Sequence, residues 1–176
     1  CYLDNTDTIR WSMNRTSYYV YSNTSAITLN QWNHILICVD LNLLSTDKGQ
    51  LFINGVDQTG FVNLVTPTAF DLSSGGLMIA DETLQYLSPF EGNIDELAIW
   101  SGKDQRANIA EIYNGGVPND LNSLPTAPPP TTWQRMGENA VWDGSKFVMT
   151  DVNGGYVNTS EGLNPADPSP STDVPT

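Results

Sequence analysis

Phe90-Glu91-Gly92-Asn93-Ile94-Asp95-Glu96-Leu97-Ala98-Ile99-Trp100 decides how the rest of this chain is read. Alternation along an extended backbone puts Asn93, Asp95, Leu97 and Ile99 on one face, and Ile94, Glu96, Ala98 and Trp100 on the other. Both faces carry apolar groups, so the pattern predicts an interior strand covered on both sides. A short buried helix is the competing reading. Gly92-Asn93 before the run and Ser101-Gly102 after it argue for a strand, as does a span of about eight residues.

Upstream, Tyr18–Ser22 is strongly strand-forming. Short strands are also expected at 8–11, 25–29, 32–41, 51–53, 56–61 and 77–80, with a tight positive-φ turn at Asn54-Gly55. Pro67 argues against a central strand in 62–72. Downstream, Ile109, Ile112 and Tyr113 recur at helical spacing, and Asn114-Gly115 closes the helix expected over 105–113. Many short strands separated by turn signals predict an antiparallel β-sandwich.

Three stretches carry a resemblance. They are Gln31-Trp32-Asn33-His34-Ile35-Leu36-Ile37-Cys38-Val39-Asp40 with Gly49-Gln50-Leu51-Phe52-Ile53-Asn54-Gly55, the opening run, and Ile109-Ala110-Glu111-Ile112-Tyr113-Asn114-Gly115. In this order they resemble laminin-G-like domains of the concanavalin A-like superfamily. The resemblance implies an all-β jelly-roll β-sandwich and covers residues 18–121. The family's opening strands are then expected before Cys1, replaced, or supplied by another chain.

The sandwich is expected over 1–124. Thr126-Ala127-Pro128-Pro129-Pro130-Thr131 reads as a semi-rigid Pro-rich linker over 125–132. A small β-hairpin appendage over 133–163, turning at Asp143-Gly144, and a Pro-rich flexible tail over 164–176 complete the chain. Two or three strands are marginal alone, so the appendage is expected to dock on the sandwich or on a neighbouring subunit.

Net charge is −13, with only seven Lys and Arg, which disfavours phosphate backbones and anionic lipid surfaces as partners. No apolar run approaches the roughly 20 residues a membrane helix needs. Cys1 and Cys38 are the only cysteines; Cys38, in an apolar run, reads as a buried thiol. His34 is the single histidine, so no Cys/His metal spacing exists.

The carboxylates do not match hydrolase chemistry. A retaining glycosidase opposes two carboxyl groups about 5 Å apart. Asp95 and Glu96, being adjacent, point to opposite faces of a regular strand; Glu91 and Asp95 share a face about 13 Å apart. No catalytic residue is therefore assigned. For Asp95 two roles stand side by side, capping of backbone amides and, as the resemblance implies, ligation of Ca2+ through hard oxygen donors. Trp32 and Trp100 are read as core. Tyr19, Tyr21 and Tyr86 are the candidate ligand-binding rings, suited to sugar stacking or to a protein interface.

The resemblance implies a non-catalytic carbohydrate- or protein-binding and adhesion module with glycans or neighbouring subunits as partners. The layout of sandwich, linker, appendage and Pro-rich tail is similar to that of structural proteins of tailed bacteriophages. It implies an extracellular or virion setting within an oligomeric assembly. The alternative is a glycan-active hydrolase or lyase, or its accessory domain.

Overall fold

The computed structural model describes residues 2–3, 8–13, 18–44, 46–63, 92–135, 141–142, 147–153 and 157–159. These form antiparallel strands with little helix, the all-β sandwich architecture expected. The chain divides into two units, Cys1–Glu91 with Asp104–Gly116, and Gly92–Lys103 with Val117–Thr176.

In the first unit, β1 (Tyr2–Leu3), β2 (Ile9–Met13), β3 (Tyr18–Ser22) and β7 (Thr59–Asn63) form one antiparallel sheet in the order β1-β2-β3-β7. A second sheet contains β4 (Ile35–Val39), β5 (Gly49–Ile53) and β6 (Val56–Asp57). Period-2 alternation aims Ile9 and Val20 from the first sheet, and Leu51 and Ile53 from the second, into one buried cluster. Trp11, Ile37, Val39 and Val62 pack around it.

The second sheet is buried on its other face as well, at Leu36, Cys38 and Phe52. The segment Asp104–Gly116 lies on that side. The Arg106 guanidinium donates to the Lys48 carbonyl at 3.2 Å, and the ring of Tyr113 lies against Gly55. The helix expected over 105–113 is a 3-10 turn, Arg106–Asn108, followed by α1 (Ile109–Tyr113). Asn114 closes it in the left-handed conformation, φ 47° and ψ 36°. The β5–β6 turn also has positive φ at Asn54 and Gly55, 50° and 77°. Gly55 is needed twice over, since an added Cβ would lie 2.6 Å from Tyr113 Cδ1.

Residues 25–29 differ from expectation. They make no strand; Ser25 and Asn30 both have φ 57°. The Asn33 carboxamide donates to the carbonyls of Thr28 (2.8 Å) and Gln31 (2.9 Å), folding the segment into turns. Ala26 and Ile27 still pack on the core.

In the second unit, the run 93–100 is extended as a strand only at β8 (Leu97–Ile99). Glu96 has φ +55°, which breaks the alternation on which an interior strand depended. Ile99 is exposed, and Leu97 and Ala98 are half-buried. The partner of β8 is β9 (Thr132–Gln134), whose three residues are all buried. The preceding prolines, read from sequence as a spacer, are tied down by their carbonyls. Pro128 O accepts from Trp100 Nε1 (2.8 Å), Pro129 O from Lys103 Nζ (3.0 Å), and Pro130 O from Asn153 Nδ2 (2.7 Å). The Thr131 amide donates to Ile99 O at 2.7 Å, so pairing with β8 begins as the prolines end. Strands β10 (Val141–Trp142), β11 (Phe147–Thr150) and β12 (Val157–Thr159) form a separate antiparallel sheet. The strand expected at 77–80, the Asp143-Gly144 turn and the tail 164–176 lie outside the described residues.

Candidate functional site

The face of the four-stranded sheet turned away from the core is set by register. Trp11 pairs with Val20 and Val20 with Val62, all on the core face. One step along each strand, Tyr2 pairs with Arg10, Arg10 with Tyr21, and Tyr21 with Phe61. A single row of three aromatic positions and one cation therefore crosses all four strands on the outer face. The next row contains Ser12, Tyr19 and Asn63. Tyr19 and Tyr21 occupy neighbouring rows on the central strand β3. Phe61 is 53% exposed, unusual for so large an apolar ring.

The sheet's edge geometry places Phe61. Between Tyr21 and Ser22 the β3–β7 register shifts, with Ser22 opposite Thr59 and Tyr21 opposite Phe61, which leaves Gly60 as the extra residue of a bulge. An added Cβ at Gly60 would lie 2.7 Å from the Ser22 carbonyl oxygen, so only glycine lets β7 approach there. Without the bulge, Phe61 would fall on the core face.

Tyr86 lies outside the described residues. Sequence reasoning singled out Tyr19 and Tyr21 and missed Arg10 and Phe61. Arg10, a charge between the core residues Ile9 and Trp11, signals the outer face by alternation alone. Phe61 carried no such signal, because the bulge resets its face.

The carboxylates of Asp95 and Glu96 both accept hydrogen bonds. Asp95 Oδ1 accepts the Glu96 amide at 2.9 Å, a local backbone cap. Among the described residues no three His, Cys, Asp or Glu side chains come together as metal donors. The Glu96 carboxylate accepts from Trp133 Nε1 (2.6 Å) through one oxygen and from Arg135 Nε (2.8 Å) through the other. The Arg135 guanidinium also stacks over the Trp133 ring at 5.3 Å. Glu91 lies outside the described residues. Trp32 and Trp100, read as core, are both half-buried.

Cys38 is a buried free thiol. Burial pushes it up to about 11, with the nearby Asp104 carboxylate adding to the rise and the Gln105 backbone and Arg106 opposing it. A thiol so protonated is a poor nucleophile.

Residues 1–110 match the model of a laminin G-type family described as the concanavalin A-like lectin/glucanases superfamily. The match starts ahead of residue 18 and so takes in β1 and β2. No curated protein and no solved structure matches the chain significantly. The chain belongs to the concanavalin A-like superfamily, whose laminin-G- and lectin-like domains bind carbohydrates or proteins.

Proposed function

We propose that this concanavalin A-like domain is a non-catalytic glycan-binding module, with its ligand on the outer face of the four-stranded sheet. The observation that carries the reading is the cross-strand row Tyr2–Arg10–Tyr21–Phe61, with Tyr19 and Asn63 in the next row. Aromatic positions offer flat apolar faces to sugar rings, and Arg, Ser and Asn offer donors and acceptors to hydroxyls. The strongly acidic balance argues against polyanionic glycans and favours neutral ones. The proposed setting is an extracellular or virion structural assembly in which neighbouring subunits flank the module.

The superfamily's description also includes glucanases, which makes glycan hydrolysis the second reading. Against it, both oxygens of Glu96 already accept side-chain hydrogen bonds. Titration calorimetry with neutral polysaccharide fragments tests the first reading. Phe61→Ala and Tyr21→Ala should each weaken binding by about tenfold or more, equivalent to ~1.4 kcal/mol, with unchanged circular dichroism. Unaltered affinity in both variants would remove the ligand from this face. Release of reducing ends that is lost in Glu96→Gln would establish the second reading instead.

A further inference from the structure

The row Tyr2–Arg10–Tyr21–Phe61 has a direction and a length as well as a composition. It runs across the strands, with one position on each of β1, β2, β3 and β7. We infer that its ligand is a single free glycan chain of extended, equatorially linked sugars, lying across the strands with one sugar unit to each. This rests on the glycan reading of the face, and adds the shape, orientation and length of what the face takes.

Strand spacing sets the match. Hydrogen-bonded strands lie about 4.8 Å apart, so the Tyr2 and Phe61 positions, three spacings apart, are separated by about 14 Å. In a ribbon-like chain with equatorial linkages, successive sugar rings follow one another at close to the strand spacing. An axially linked chain coils, and its rings fall out of step with the row. The other direction on this face has fewer rings to give. Along β3, Tyr19 and Tyr21 are same-face neighbours about 7 Å apart. The row of Tyr19 holds Ser12 and Asn63 beside it, and neither is aromatic. The bulge at Gly60 favours the same direction. It brings the exposed Phe61 level with Tyr21, which adds a third aromatic position to the cross-strand row. Strand β7 itself carries no second ring.

Twist decides the physical state of the ligand. Adjacent strands rotate by about 20–25° relative to one another, so the facing direction turns by roughly 60–75° from Tyr2 to Phe61. A flat crystalline surface of packed chains cannot face both positions. A single chain with rotatable linkages turns with the row.

The test is titration calorimetry with soluble cello-, β-manno- and xylo-oligosaccharides of increasing length, and with axially linked malto-oligosaccharides for contrast. In at least one of the three extended series, affinity should climb with length and level off at four units, one for each strand of the row. The malto series should gain nothing comparable from length. Two-unit oligomers should settle over the adjacent Tyr21 and Phe61 positions. Tyr2→Ala should therefore leave their binding unchanged, which also shows that the variant is folded. It should weaken four-unit oligomers by about three- to tenfold, the range of one aromatic contact. Tyr19→Ala should change neither. Crystalline particles of the polymer whose fragments bind should not deplete the chain from solution. A plateau at one unit, an effect of Tyr19→Ala in place of Tyr2→Ala, or depletion by the crystalline polymer would each overturn the inference while leaving the site on this face. Binding to none of the extended series would overturn it as well. If binding occurs but Tyr21→Ala and Phe61→Ala leave it unaltered, the reading of the face itself fails, and the inference with it.

Discussion

His34 joins the β5–β6 turn to α1. Its amide donates to Asn54 Oδ1, its carbonyl accepts the Asn54 amide, and its ring lies 5.5 Å from that of Tyr113. Nδ1 is buried with no hydrogen-bond partner among the described residues. Burial lowers the His34 pKa from 6.5, because a buried imidazolium loses its hydration. The folded pKa lies below the unfolded one, so the unfolded chain binds the proton more tightly. The stability gained from neutral His34 is fully present above the unfolded pKa of 6.5 and is lost as pH falls toward the lower folded value. Melting curves from neutral to mildly acidic pH should therefore fall more steeply for the native chain than for His34→Gln. Parallel curves across that window would show that His34 contributes no linkage.

At the scale of elements, the bulge in β7 is the most exacting feature. Gly60 allows the Ser22 carbonyl to come within the space a Cβ would need, and the obstructing atoms are backbone, which cannot rotate away. Gly60→Ala should cost about 1–3 kcal/mol, the usual range for forced overpacking. Chemical denaturation would measure it, and a loss within experimental error would mean that the strand relaxes freely. Elements set by nearby residues were legible in advance. Tyr18–Ser22 follows from its own β-branched and aromatic residues, the Asn54-Gly55 turn from its positive φ, and the end of α1 from Asn114-Gly115. Elements set by distant partners were not. Glu96 adopts φ +55° while held by Trp133 and Arg135, more than thirty residues away, which no local pattern announces. The prolines look like a spacer because their missing N–H groups cannot pair, yet their carbonyls can accept, and three of them do. The proposed ligand face was half legible, since alternation revealed Tyr19 and Tyr21 but the bulge concealed Phe61.

At the scale of the whole chain, residues beyond the family match complete a unit that begins within it. Strand β8 lies within the matched residues and β9 beyond them, yet the two pair residue for residue, Leu97 with Gln134, Ala98 with Trp133 and Ile99 with Thr132. Trp133 is only 2% exposed; its amide donates to Asp151 Oδ1 and its indole to Glu96. A chain ending at residue 124 would leave one edge of β8 without β9, the Glu96 carboxylate without both donors, and the Trp100 indole without Pro128 O. Unpaired backbone and an unpaired half-buried charge are both costly, so β8 should lose its order in that chain. Hydrogen exchange should show the amides of Leu97–Ile99 losing protection on truncation. In the full chain, Trp133→Ala should destabilise this unit by about 3–5 kcal/mol, the usual cost of removing a buried Trp. The first unit has its own core of Ile9, Val20, Leu51 and Ile53 and should keep its protection in both variants. Retention of protection at 97–99 after truncation would mean that β8 holds without β9, and that the segment after the prolines is dispensable to it.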